Sequence, residues 1–170
     1  MEGIWRWGAD LIVAIQTLHN PVLDGFFNAV TSLGSEEFYL VLIPLLYWCL
    51  DRHLAIGLAY LFLFSTYGNV ALKQLFGHPR PYQFDSQVLK LNLVPADEMG
   101  YGIPSAHTQS AVTVWGYLAL SLRKRWMSVL ALIMVTSIAF SRIYLGVHFP
   151  TDVLAGLVLG VVGLGLYWWL

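Results

Sequence analysis

Charge is the first thing this sequence lacks: 11% of its 170 residues are Asp, Glu, Lys or Arg, and nine basic against ten acidic residues leave a net charge of −1. With no basic stripe there is no electrostatic footprint for a polyanion, which excludes nucleic acid as a partner. Cysteine is almost absent too. Cys49, the single thiol, lies in an apolar run with no second cysteine for a disulfide or a multi-thiolate metal site, and reads as a small buried hydrophobe. The layout of a cleavable leader is also missing, because Glu2 follows Met1 directly and Arg6 and Asp10 interrupt the apolar residues, so no cleavage is expected. No internal repeat and no low-complexity tract is present.

What fills the chain instead is hydrophobic residues, 58% of the total, far above the balance of a water-soluble globule. Lipid is the implied solvent. A membrane-crossing helix needs roughly 20 mostly apolar residues, and stretches 54–72, 105–122, 126–141 and 153–170 come close or qualify. Phe38 to Leu50 is shorter and contains Pro44, so it must borrow residues from Glu36 and Glu37. Residues 3–33 differ. Ile4, Trp5, Leu11, Ile12, Ile15 and Leu18 mark one face, Arg6, Asp10 and Gln16 interrupt it, and Asn20-Pro21 splits the segment. That pattern reads as one or two interfacial helices, with a degenerate first span as the other reading. The expected fold is all-α, a polytopic membrane helical bundle of five to six spans, with residues 1–35 as the amphipathic N-terminal segment and 36–170 as the membrane domain. Between Gly77 and Ile103, with prolines at 79, 81 and 95 and acids at 85, 97 and 98, lies one long polar loop expected outside the hydrocarbon.

Five consecutive spans alternate direction, so the end of the second, the start of the third, the end of the fourth and the start of the fifth share a face. Every polar cluster of interest falls there. The opposite turns, Asp51-Arg52-His53 and Arg123-Lys124-Arg125, carry the basic residues that the positive-inside rule places in the cytoplasm. The polar face is then extracytoplasmic, or lumenal in a eukaryote, with Lys90 alone left counting against it once Lys73, Arg80 and Arg142 are read as ligands.

Three clusters occupy that face. In Lys73-Gln-Leu-Phe-Gly-His-Pro-Arg80-Pro81 two cations stand at a membrane edge; Lys73 reads either as a snorkelling side chain or as an anion ligand, while the planar fork of Arg80 suits bidentate contact with phosphate oxygens. In Gly102-Ile-Pro104-Ser105-Ala-His107 a helix begins, with Ser105 as its cap and with unpaired N–H groups that favour an anion. His107 is an ionisable side chain inside an apolar span, which marks function more often than packing. In Ser141-Arg142-Ile-Tyr-Leu-Gly-Val-His148-Phe-Pro-Thr-Asp152 a carboxylate follows a histidine by four residues. It could accept from one ring nitrogen and leave the other as a nucleophile, or simply favour a helix N-terminus.

Together the clusters resemble the three motifs of the type 2 phosphatidic acid phosphatase superfamily: Lys, six residues, Arg-Pro at 73–81; Pro-Ser-Gly-His at 104–107; and Ser-Arg, five residues, His, three residues, Asp at 141–152. The resemblance implies an integral membrane phosphatase of the cell membrane; with no acidic metal cluster in the sequence and three cations to neutralise the phosphate, neither a metal nor a cofactor is expected. It implies that Lys73, Arg80 and Arg142 bind phosphate with help from Ser105 and Ala106, that His107 is the general acid, that His148 is the nucleophile and that Asp152 orients it. Ala106 departs from the family's usual Gly and is tolerable where φ is negative, as at a helix start. A site at the span ends would leave acyl or prenyl tails in the bilayer, so phosphatidic acid, phosphatidylglycerol phosphate and undecaprenyl pyrophosphate all fit as substrates. A lipid-linked phosphotransferase using the same histidine, or a non-catalytic lipid-phosphate binding or transport protein, are the other readings.

Overall fold

The computed structural model describes residues 2–93 and 100–169. Among them the chain is helical with no strand, in the order α1 (Glu2–Gln16), α2 (Pro21–Ser32), α3 (Glu36–Cys49), α4 (Arg52–Phe76), α5 (Pro81–Phe84), α6 (Ala106–Leu122), α7 (Arg125–Tyr144) and α8 (Pro150–Trp169). Helix starts follow local chemistry. The Asn20 side chain accepts from the N–H groups of Val22 and Leu23 to head α2, Ser35 accepts from Phe38 N–H at α3, and Asp51 accepts from His53 and Leu54 N–H at α4. Helix α4 ends at Gly77, whose φ of +58° is costly for any residue with a Cβ.

Each apolar stretch read from the sequence is a helix, although Leu170 lies outside the described residues. Three helical stretches, Arg52–Phe84, Arg125–Tyr144 and Pro150–Trp169, are long and apolar enough to cross a membrane, and α2 with α3, bent by 50°, would make a fourth. Helix α3 alone has 14 residues, about 21 Å at the usual rise against a hydrocarbon core of about 30 Å. It gains spanning length only together with α2, so the break at Gly34 joins the N-terminal region to the bundle.

Helix α6 has 17 residues, and ten of them are buried, His107 through Val114 with Tyr117 and Leu118. It packs against α4, α7 and α8, meets protein rather than lipid, and can therefore hold Thr, Gln and Ser that a lipid-facing helix would leave unsatisfied. Two glycines let α8 lie close against it. A Cβ at Gly156 would come within 2.6 Å of Ser105 O, and one at Gly160 within 2.6 Å of Val112 Cβ.

The apolar core gathers Tyr39, Leu58, Phe62, Val114, Leu118 and Leu164. Outward, Leu63, Phe64, Leu132, Ile133, Leu154 and Val161 are each more than half exposed, as lipid-facing side chains should be. Cys49 is exposed as well, beside Trp48, which corrects its reading as buried: with lipid as the solvent a small hydrophobe has no need of the interior.

The described part of the 77–103 connection is more ordered than a plain loop, since it contains α5 and a segment pinned by α1; residues 94–99, with Pro95, Asp97 and Glu98, lie outside the described residues. Ala9 and Ile12 of α1 are fully buried with Val88 and Phe149. Gln16 donates to Leu89 O at 2.7 Å and Tyr144 O at 3.0 Å and accepts from Leu89 N–H at 2.9 Å, so one amide joins α1, the connection and the end of α7.

Candidate active site

Because the bundle alternates direction, the end of α4, the start of α6 and the end of α7 meet, and they enclose a cavity of about 210 Å³ lined by Lys73, Arg80, Ala106, His107 and Arg142. Glu36, Glu37, Asn69 and Ser110 line it too. From the sequence the two glutamates read only as lengthening a span; their place at the start of α3, on the same face, is the signal that points to the cavity.

Each arginine is held by the fold. Arg80 is buried, donating from Nε to Gly100 O at 3.2 Å and from Nη1 to Val147 O at 3.3 Å. Arg142, fully buried, donates from Nη1 to Thr31 Oγ1 at 2.6 Å, a contact across 111 residues that no motif announces. Its own carbonyl accepts from the N–H groups of Val147 at 3.2 Å and His148 at 3.3 Å, so the arginine also shapes the turn that carries the histidine. Gly146, at φ +72°, makes that turn possible, since a Cβ there would collide with Leu89 O and Gln16 Nε2.

His148, Asp152 and Ser105 do not line the cavity; all three are buried in the structure around it. His148 lies within electrostatic reach of Arg80, Arg142, Lys73 and His107, and His107 within reach of the same three cations. Nδ1 of His148 stands 3.4 Å from Asp152 Oδ2, which also accepts from Phe149 N–H at 3.0 Å. The carboxylate therefore addresses Nδ1 and leaves Nε2 as the nitrogen available for chemistry.

Ser105 is the residue before α6, but its hydroxyl makes no cap bond and pairs with Thr108 Oγ1 at 3.0 Å, while its N–H donates to Asp152 O at 3.0 Å. It thus ties the head of α6 to the head of α8. Ala106 is the first residue of α6, and the only non-glycine with positive φ among the described residues is Arg123, so the alanine sits without backbone strain. Behind the cavity a polar ladder holds α4 to α6: Asn69 Nδ2 donates to Gln109 Oε1 at 2.8 Å, and Gln109 Nε2 donates to Ser65 O at 3.0 Å and Ser65 Oγ at 2.9 Å. Neither Asn69 nor Gln109 was singled out by the sequence, because an uncharged amide on a helix has no signature spacing.

The chain is 36% identical over 173 residues to lipid phosphate phosphatase delta of Arabidopsis thaliana, covering 94% of this chain and 41% of that protein. It is 31% identical over 170 residues to dihydrosphingosine 1-phosphate phosphatase C823.11 of Schizosaccharomyces pombe, covering 94% and 41%. It spans about two-fifths of the length of these two relatives. The crystal structure of Aquifex aeolicus LpxE superimposes with a TM-score of 0.83 at 26% identity, covering 95% of this chain and 94% of that one. The pattern of the PAP2 superfamily matches residues 54–170, a stretch that begins near the head of α4 and holds all three polar clusters, and the chain is a member of that superfamily, built as an integral membrane protein.

Proposed function

We propose that this chain hydrolyses a lipid phosphate monoester or pyrophosphate through a phosphohistidine on His148. The observation that carries the reading is the joint arrangement of three cations and His107 around one cavity, with His148 beside it and turned by Asp152. Lys73, Arg80, Arg142 and the first N–H groups of α6 hold the phosphate and offset the charge that develops on its oxygens. The Nε2 lone pair of His148 attacks phosphorus in line, the bond from phosphorus to the leaving oxygen breaks, and His107 protonates that oxygen as it departs. Water then attacks the phosphohistidine, giving its proton to His107 while the P–N bond breaks, and inorganic phosphate leaves.

The outward apolar surface supports a substrate whose tails stay in the bilayer, and the relatives named above act on lipid phosphates by their names. Basic residues at Arg52 and at Arg123 to Arg125, at the opposite span ends, support a site on the extracytoplasmic or lumenal side. Charge neutralisation by three cations makes a metal dispensable. Phosphate release from phosphatidic acid, phosphatidylglycerol phosphate, undecaprenyl pyrophosphate and a sphingoid-base phosphate, measured in detergent with EDTA, is the test. Release from at least one of them, undiminished by EDTA, is expected; release from none, or only after a divalent metal is restored, would refute the reading.

A further inference from the structure

Asp152 has a second imidazole beside it. Its Oδ2 is engaged by His148 and Phe149 N–H, but Oδ1 is buried and accepts no hydrogen bond among the described residues. Among the described residues Nδ1 of His78 is likewise buried without a hydrogen-bond partner, and these two atoms stand 3.6 Å apart. A buried carboxylate oxygen and a buried ring nitrogen each cost free energy when unpaired, and a closure of a few tenths of an ångström would satisfy both. The surroundings favour that pairing. His78 is fixed between Gly77 and Pro79, its carbonyl accepts from Gly102 N–H at 2.7 Å, and its ring meets the edges of Trp5 at 4.6 Å and Phe149 at 5.8 Å. Gly102 covers the carboxylate so closely that a Cβ there would lie 2.9 Å from Asp152 Oδ2.

We propose that His78 is a positioning residue for the reaction: its Nδ1–H donates to Asp152 Oδ1, so that the carboxylate is held between two imidazoles and keeps its other oxygen on His148. This rests on the reading of His148 as nucleophile and Asp152 as its orienting partner. His78 does not line the cavity that holds Lys73, Arg80, His107 and Arg142, and it acts by restricting the rotation of the group that sets the tautomer and direction of His148.

Two substitutions separate donation from packing. His78→Asn keeps a donor near the position of Nδ1 and loses the ring, whereas His78→Phe keeps the ring against Trp5 and Phe149 and loses the donor. His78→Phe should lower kcat about 10- to 100-fold, the range typical of lost outer-sphere partners, with KM within a factor of about two, and His78→Asn should recover most of the loss. In an Asp152→Asn background, His78→Phe should cost little more, since the acceptor charge is already gone. An active Phe variant with an inactive Asn variant would reduce His78 to packing and overturn the proposal. If Asp152→Asn itself had no effect, the underlying reading would fail instead. Should both His78 variants fail to fold, nitrogen-labelled histidine NMR of the intact protein decides the matter: a hydrogen-bonded His78 Nδ1 proton that is lost in Asp152→Asn supports the contact, and its absence in the parent protein refutes it.

Discussion

Around Leu58, Phe62, Val114 and Leu118 the bundle buries mainly apolar side chains, whereas around Arg80, Arg142, His148 and Asp152 it buries ionisable ones at comparable depth. Residues in the first region are defined by volume and are exchangeable in kind. Those in the second are defined by address: Arg142 by Thr31, Arg80 by Val147 O, Asp152 by Phe149 N–H. Burial of charge is costly without its partners, so on the proposed reading the second region serves chemistry rather than stability. Substitutions in the two regions should therefore fail in different ways.

The largest effect is expected for His148→Ala, which should lower turnover by at least about 10³-fold while phosphate or vanadate binding survives on the remaining cations and the Tm moves little. Asp152→Asn should follow, with a loss of roughly 10²- to 10⁴-fold in kcat, because the imidazole stays but loses the charge that fixes its tautomer. His107→Ala should cost about 10²-fold or more on an alkyl phosphate and much less on a nitrophenyl phosphate, whose leaving group departs without a proton; equal losses on both substrates would reassign His107 to phosphate binding. Thr31→Val removes the acceptor that holds Arg142, and a rise in KM of roughly tenfold with kcat less affected is expected from a lost hydrogen bond to a charged group. Leu58→Ala should invert the pattern, with about 2–4 kcal/mol of stability lost to a cavity and turnover per folded molecule unchanged. A fall in kcat for Leu58→Ala as large as its fall in stability would dissolve the distinction between the regions.

The charged members of the site were legible in the sequence for the same reason that they are costly: Lys73, Arg80, His107 and Arg142 stand out in apolar runs, and alternation of spans then places them together. Their supports were not legible. Thr31, Gln16 and Gln109 are uncharged, lie on helices with no diagnostic spacing, and find their partners through tertiary contact alone. Spans were readable wherever a helix faces lipid, as α4, α7 and α8 do, and less so for α3, which needs α2 to reach spanning length, and for α6, whose neighbours replace lipid. The contribution of α1 was half visible: its apolar face was clear, but Gln16 looked like an interruption of that face and is instead the residue that pins the turn leading to His148.

On the proposed mechanism His148 Nε2 carries the phosphoryl group during turnover. Rapid acid-free quenching of the intact protein with a radiolabelled lipid phosphate, followed by peptide mapping, tests it directly. A base-stable, acid-labile label is expected on the peptide containing His148, absent from His148→Ala and built up when breakdown is slowed in His107→Ala with an activated ester. Undiminished turnover by His148→Ala, or label on another residue, would contradict it.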